Sequence, residues 1–317
     1  MQTYLKSRPV WIQLLLFMGM AFGIVLITSL ISTGILAPLL GINALDVLSS
    51  SKWGNYPNML LYLRILLLLN FIFAYLLPVW LFSYFADPNP TKYLGFQKPH
   101  SRVYWFLGIL SLIVCLPFVD YLGSLNLKMN LGGEIQEWMQ TLEKEAGNQT
   151  KFLLQKHAAS DLIINLILVS LFAGVGEELF FRGILQRLFI KLTRSPWIGI
   201  VITSIMFSAF HFQFFGFLPR LVLGILLGAI YWYSGSILTA IVAHFLYDAA
   251  IIVVLYINPS LAGDPNASMT NITQFPWMAL VSAALTFFVV WQMIKRSKTN
   301  YAAVYKDENP SHDEFSF

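Results

Sequence analysis

The sequence has 317 residues, of which 57% are apolar and 11% are charged, and its mean hydropathy is +0.67. Soluble domains carry about 25% charged residues, so this composition excludes a soluble cytoplasmic enzyme, a disordered protein and a coiled coil. It indicates a membrane protein with many spans. The formal net charge is only +4, which fits basic loops at a membrane surface and argues against a nucleic-acid partner.

Apolar runs long enough to cross a bilayer follow one another along the chain, because about 20 apolar residues in a helix span the hydrocarbon core. We predict one all-α polytopic membrane domain over residues 1–317, with about eight transmembrane helices. The predicted spans are Val10–Leu36, Met59–Phe85, Val103–Leu125, Leu162–Ile190, Trp197–Phe212, Leu218–Tyr233, Ile237–Ile257 and Trp277–Ile294. The polar segment 298–317 is predicted to be a mobile tail.

Clusters of Lys and Arg predict the orientation, because basic residues are enriched in cytoplasmic loops. The clusters are Lys6 and Arg8; Lys92, Lys98 and Arg102; Arg187, Lys191 and Arg194; and Lys295, Arg296 and Lys298. With eight spans they all fall on one side, so both termini and the tail are expected in the cytoplasm.

The long connection over residues 126–160 falls on the opposite, external side. Its apolar residues Ile135, Trp138, Met139 and Leu142 follow an i, i+3, i+4, i+7 spacing, with glutamates between them. This spacing predicts an amphipathic helix between the third and fourth spans. Two positions for it fit equally well, one on the membrane surface and one packed on other helices.

Ionisable residues inside a bilayer are costly, so each one marks a candidate functional site. Arg64, Asp120 and Arg220 lie near predicted span ends, and we interpret them as structural, with the arginines snorkelling to the interface. The residues that remain lie on spans four, five and seven. They are Glu177, Glu178, Arg182, His211, His244 and Asp248. A rise of about 1.5 Å per residue brings their acidic and imidazole groups into one mid-membrane layer.

The spacing within span four assigns different roles to its two glutamates. Glu178 and Arg182 are four residues apart, so they share a helix face and can pair. Glu177 then points about 100° away without a local cation, and a desolvated carboxyl of this kind can act as a general base near neutral pH. We therefore assign Glu177 to chemistry and Glu178 to structure, with the reverse assignment as the alternative. On span seven, Asp248 is placed to orient His244.

Two peptide-hydrolysing chemistries fit this set of residues. Glu177, His211 and His244 could ligate a divalent metal such as zinc, whose bound water attacks a carbonyl. Alternatively, Glu177 and His211 activate water directly without a metal. In that case His244 and Asp248 donate hydrogen bonds to the developing oxyanion. The HExxH zinc spacing is absent. The chain's one cysteine, Cys115, lies in another span and is interpreted as a buried apolar residue.

Three short motifs occur in order on these spans. Residues 177–182 read EELFFR and match EExxxR, residues 207–211 read FSAFH and match FxxxH, and residues 244–248 read HFLYD and match HxxxN/D. Together they resemble the CPBP family of intramembrane proteases, which includes the type II CAAX prenyl endopeptidases and bacteriocin-processing relatives and is also called the Abi family. The resemblance covers residues 161–257.

The resemblance implies an eight-span helical fold with an active-site cavity. It implies that Glu177 is the essential carboxylate, that His211 helps to activate water, and that His244 and Asp248 are oxyanion or metal-site residues. Asp248 is a departure, because the prenyl-protein proteases usually carry Asn there. Since an ionised Asp opposes an oxyanion, Asp248 must be protonated, bind a metal or orient His244.

The leading hypothesis is therefore an intramembrane endopeptidase, a hydrolase acting on a membrane-associated or lipidated peptide or protein in a bacterial inner membrane. Its expected partners are membrane lipids and this substrate. One alternative is a non-catalytic immunity or regulatory protein that binds a peptide in the same cavity. The other is a proton-coupled transporter, which the absence of an internal repeat disfavours.

Overall fold

The computed structural model describes residues 4–263 and 276–305, and within these ranges the chain is all-helical with no strand. In chain order the longer helices are α1 (Val10–Leu39), α2 (Met59–Ala86), α3 (Val103–Leu127), α4 (Gly133–Leu153), α5 (Ala159–Thr193), α6 (Pro196–Ala209), α7 (Phe217–Ser234), α8 (Ile237–Ile257) and α9 (Trp277–Arg296). A short helix, α10 (Tyr301–Tyr305), follows α9. Short helical turns lie at Asp46–Leu48, Ser50–Asn55, Pro90–Tyr93, Phe214–Gly216 and Pro259–Leu261.

The predicted fold class is confirmed, because the chain is an all-helical, multi-pass membrane protein. Within the described ranges seven helices are long and apolar enough to cross a membrane. The predicted fifth span corresponds to α6, which is apolar but has only 14 residues. Seven full-length helices and one shorter one therefore account for the eight predicted spans.

The sequence sets sharp boundaries around α6, α7 and α8. Ser195 caps α6, accepting a hydrogen bond from the Ile198 backbone N–H at 3.5 Å, and Pro196 occupies the first turn. Helix α7 ends at Gly235, whose φ of 69° is the left-handed conformation that glycine adopts without strain. Helix α8 begins two residues later, so α7 and α8 form a tight antiparallel pair.

Helix α5 contains two stretches of π-helix, Leu166–Leu171 and Glu178–Gln186. All nine residues of the second stretch are buried, including Glu178 and Arg182. Wide π-helical turns are rare and are often found at functional sites. Every residue of the EExxxR motif except Glu177, which directly precedes this stretch, therefore lies in an enclosed and irregular part of the longest helix.

Helix α4 is the predicted amphipathic helix, and in the structure it packs on other parts of the chain. Glu145 accepts a hydrogen bond from the backbone N–H of Ser50 at 3.1 Å, and Asn148 Nδ2 donates to Ser50 Oγ at 2.7 Å. At the other end of α4, the ring of Trp138 lies 5.3 Å from that of Phe214. Of the two positions expected for this helix, the contacts show the packed one.

The predicted tail begins with an ordered segment. Helix α10 packs its Tyr305 into the protein, and the hydroxyl donates a hydrogen bond to the backbone oxygen of Arg187 at 2.7 Å. The rest of the predicted mobile tail, residues 306–317, lies outside the described residues.

Candidate active site

A row of polar side chains on α5 connects this helix to α7. Arg182 donates from Nη1 to Glu178 Oε1 at 2.9 Å and from Nη2 to the backbone oxygen of Gly224 at 3.0 Å. One turn later, Gln186 Nε2 donates to the backbone oxygen of Gly228 at 3.0 Å. The Glu178–Arg182 pair expected from the sequence is thus present, and it is wholly buried.

The two glycines of α7 allow this close approach. A Cβ atom at Gly228 would lie 2.6 Å from Oε1 of Gln186, and one at Gly224 would lie 3.0 Å from Cβ of Ser204 on α6. Glycines four residues apart often mark such contacts between membrane helices, because lipid provides no hydrophobic drive for association and packing must supply it. This GxxxG spacing is visible in the sequence, but it was not among the predicted features of the site.

His244 on α8 lies among three carboxylates. Its Nδ1 atom is 2.9 Å from Glu178 Oε1, while its Nε2 atom is 3.3 Å from Asp248 Oδ2 and 4.0 Å from Glu177 Oε2. The side chain of His244 is 8% exposed. The motifs on α5 and α8 therefore meet in space, and each ring nitrogen of His244 faces an acidic partner.

The two glutamates have different surroundings, as the helix geometry predicts. The side chain of Glu178 is 0% exposed and contacts both Arg182 and His244, whereas that of Glu177 is 12% exposed. The distance of 4.0 Å between Glu177 and His244 exceeds hydrogen-bond range. Glu177 is thus near the imidazole and open to a further partner.

His211 follows the C-terminal end of α6 and is half-buried. Its Nδ1 atom lies 2.8 Å from the backbone oxygen of Phe207. Because a carbonyl oxygen can only accept, Nδ1 carries the proton, and Nε2 of the neutral ring has a lone pair available. This tautomer suits a group that accepts a proton or a hydrogen bond.

Phe207 contacts residues of all three motifs, a role that its place in the sequence did not predict. The Arg182 guanidinium stacks 4.6 Å above its ring centroid. The ring also lies edge-on to His211 at 5.0 Å and to His244 at 6.1 Å. The first letter of the FxxxH motif therefore has a physical reason, since this ring separates the two histidines and covers the buried arginine.

Arg220 differs from its expected behaviour at a span end. Instead of extending to the interface, its guanidinium folds back onto the connection between α6 and α7, where it donates to the backbone and side-chain oxygens of Gln213. Arg64, the other arginine interpreted as structural, pairs with Asp161 at 2.7 Å. An arginine that finds a local acceptor need not snorkel, which sequence spacing alone does not reveal.

A metal centre does not fit the arrangement of donors. Among the side chains that the structure describes, no three His, Cys, Asp or Glu residues are arranged to ligate one ion. The geometry therefore favours the chemistry that needs no metal.

Comparison with known proteins identifies the segment that carries this site. Residues 159–250 match the family described as Rce1-like, type II CAAX prenyl endopeptidase. Residues 159–250 of this chain are thus similar to the CAAX protease family. The matched segment runs from α5 into α8 and contains all three motifs, as the sequence resemblance predicts.

Two curated proteins are similar to parts of this chain. The chain is 27% identical over 119 residues to the uncharacterized protein YpbD of Bacillus subtilis (strain 168), covering 36% of this chain and 56% of that protein. It is 29% identical over 177 residues to an uncharacterized 24.3 kDa protein of Escherichia coli, covering 55% of this chain and 72% of the relative. The chain thus spans about half the length of the Bacillus relative. No solved structure matches it.

Proposed function

We propose that the chain is an intramembrane endopeptidase that hydrolyses a peptide bond of a membrane-associated or lipidated peptide or protein. The observation that carries this proposal is the position of Glu177, a carboxylate 4.0 Å from the imidazole of His244 and outside the buried Glu178–Arg182 pair. The match of residues 159–250 to a peptidase family supports it.

In the proposed reaction, Glu177 takes one proton from a water molecule whose oxygen attacks the scissile carbonyl carbon. His211 orients that water through Nε2. His244 donates its Nε2 proton toward the developing oxyanion. Glu177 then returns its proton to the leaving amine nitrogen as the C–N bond breaks, so the step balances without an added reactant.

Asp248 has the role of orienting His244 in this scheme. Its Oδ2 atom lies 3.3 Å from Nε2 of His244, on the opposite side of the ring from the Nδ1 contact with Glu178. In the resting site this carboxylate fixes the ring plane by accepting the Nε2–H, and during the reaction that N–H turns from Asp248 to the developing oxyanion. Of the three roles open to Asp248 from the sequence, this one agrees with the geometry.

We propose further that the protein resides in a bacterial inner membrane with both termini in the cytoplasm, as the clusters of Lys and Arg predict. Reporter fusions test this orientation. A fluorescent protein joined after residue 298 should fold and fluoresce in the cytoplasm, whereas alkaline phosphatase inserted at residue 131 should be active in the periplasm. The reverse pattern would invert the assignment.

The activity is tested with the purified protein in proteoliposomes. Internally quenched peptides are supplied with and without a prenylated cysteine near the C-terminus. Glu177→Gln should lower cleavage by about 100-fold or more, because a positioned general base contributes that much. Glu134→Gln, which neutralises an exposed carboxylate on α4, is the matched control and should cleave normally.

The same variants can be compared in cells by membrane proteomics. A processed peptide should disappear in the Glu177→Gln strain while the full-length substrate accumulates. A strain whose phenotype and peptide profile survive Glu177→Gln would overturn the protease proposal and favour peptide binding without catalysis. Because the mechanism uses no metal, a chelator should leave cleavage unchanged; inhibition that zinc reverses would contradict it.

A further inference from the structure

The connection between α6 and α7, residues 210–216, carries His211 and adopts a demanding backbone. Helix α6 ends at Ala209, and Phe212 has a φ of 52°. This left-handed conformation is unfavourable for a bulky residue and persists only where surrounding contacts hold it. Something must therefore fix the turn that follows His211.

Arg220, on the first turn of α7, makes those contacts. Its Nη1 donates to the backbone oxygen of Gln213 at 2.9 Å, and its Nη2 donates to Oε1 of the same residue. Two bonds from one planar guanidinium fix both the position and the direction of Gln213. Gln213 is two residues from His211 and directly follows the strained Phe212.

Gly216 leaves the space that the guanidinium needs. A Cβ atom at Gly216 would lie 2.6 Å from Nη1 and 2.9 Å from Cζ of Arg220. The loop is thus shaped around the arginine, which is a second observation independent of the hydrogen bonds.

Other residues secure the far side of the loop but do not reach Gln213. Asn126 of α3 accepts a hydrogen bond from the backbone N–H of Leu218 at 2.8 Å and donates one to the backbone oxygen of Phe214 at 3.0 Å. Glu143 of α4 lies beside Arg220 and the backbone of Phe215. In the half of the loop that contains His211, the backbone N–H groups of His211 and Phe212 donate to the oxygens of Ser208 and Ala209 at 3.4 and 3.1 Å. Arg220 supplies the side-chain contact to Gln213.

We propose that Arg220 is a positioning residue for His211. By fixing Gln213 it holds the turn at Phe212, which keeps Nδ1 of His211 against the backbone oxygen of Phe207 and leaves Nε2 turned to the reaction. This rests on the proposed function insofar as His211 acts on water, but the positioning itself is measurable without any substrate.

The test is the rate at which diethyl pyrocarbonate modifies His211 in the purified full-length protein, followed by peptide mass spectrometry at one pH. Arg220→Ala should raise that rate by about threefold or more, because the freed loop opens more often. Arg220→Lys should restore it only in part, since an ammonium lacks the planar fork. Modification of His157, away from the loop, is the internal reference.

Two further variants make the result decisive. Arg64→Ala removes another arginine with an ion-pair partner, Asp161, and should leave the reactivity of His211 unchanged. Gly216→Ala adds a Cβ atom that displaces the guanidinium, so it should reproduce the effect of Arg220→Ala. This second variant tests the same contact if Arg220→Ala does not fold. An unchanged rate in the folded Arg220 or Gly216 variant overturns the proposal.

A cleavage assay on the quenched peptides separates this proposal from the proposed function. Arg220→Ala should lower kcat by about tenfold or more with little change in KM, because it disturbs a catalytic partner rather than substrate binding. Lost cleavage with unchanged His211 reactivity would overturn positioning. No cleavage by the unmodified protein, with His211 reactivity responding as expected, would refute only the protease proposal.

Discussion

Helices α1 and α8 are both apolar enough to cross a membrane, yet they are used differently. In the most apolar 18-residue window of α1 17% of the residues are buried, against 39% in that of α8. Three glycines of α1, Gly19, Gly23 and Gly34, have open space around them, whereas Gly174 on α5 meets the backbone of Phe245 on α8. Helix α1 leaves most of its apolar surface outside the protein, where a membrane protein contacts lipid, whereas α8 packs a larger share of its residues against protein.

This difference indicates which contacts give a membrane protein its structural specificity. Lipid solvates an apolar side chain as well as the protein does, so apolarity alone cannot hold α5, α7 and α8 together. Close backbone approach and buried polar contacts do so instead, and the same contacts position the candidate catalytic groups.

Arg182→Ala should have the largest effect on stability. It leaves Glu178 buried without its cation and also removes the contact to α7, which in comparable cases costs about 3–5 kcal/mol. Thermal unfolding in detergent should show a large loss or no folded protein. The control is Arg296→Ala at the exposed end of α9; equal behaviour of the two variants would contradict the importance of the buried pair.

Two phenylalanines of α1 sharpen the contrast within one helix. Phe17 is fully buried, with ring centroids of Phe82 and Phe180 at 5.3 and 4.8 Å, whereas Phe22 is 72% exposed. Phe17→Ala should cost about 2–4 kcal/mol through the cavity it leaves. Phe22→Ala should change little, because lipid fills its place. Similar losses in unfolding experiments would mean that α1 does not face lipid there.

Glycine substitutions test how closely α7 approaches α5. Gly228→Ala places a Cβ atom 2.6 Å from Gln186 and should cost about 1–3 kcal/mol by overpacking. Gly23→Ala enters open space on α1 and should be neutral or slightly stabilising, since alanine favours the helix. The two thermal shifts, measured side by side, should have different signs or clearly different sizes.

The smallest effect is expected at Glu143, outside the membrane-spanning helices. Burial raises the pKa of this carboxyl above its ordinary value of 4.5, with Arg220 and the backbone of Phe215 opposing the rise. The folded state then binds the proton more tightly than the unfolded state, so the stabilising contribution is present below pH 4.5 and is lost as the pH rises through the folded pKa.

Glu143→Gln should remove the loss of stability that accompanies the ionisation of Glu143 at higher pH. Relative to the unmodified protein it should gain less than about 1 kcal/mol near pH 8, and the gain should vanish near pH 4. Parallel unfolding curves at the two pH values measure it. A variant that is less stable near pH 8 would show that the attraction between Glu143 and Arg220 outweighs the cost of burial.

Much of this architecture is predictable from sequence because its signals are strong and local. Apolar runs locate the spans, and the i, i+4 spacings bring Glu178 to Arg182 and His244 to Asp248. The contact between Glu178 and His244 depends on how α5 meets α8, which no spacing within one helix contains. The π-helical stretch Glu178–Gln186 and the folded-back Arg220 also arise from tertiary contacts, so sequence patterns did not reveal them.

Cys115 gives the molecule a practical property. It is the chain's one cysteine, it is 0% exposed, and its thiol donates to the backbone oxygen of Leu112. Thiol reagents react with exposed thiolates and pass over buried apolar ones. A cysteine introduced at an exposed position, such as Phe212 in the His211 loop or Ile135 on α4, could therefore be labelled selectively with a spin or fluorescent probe, without first removing the native residue.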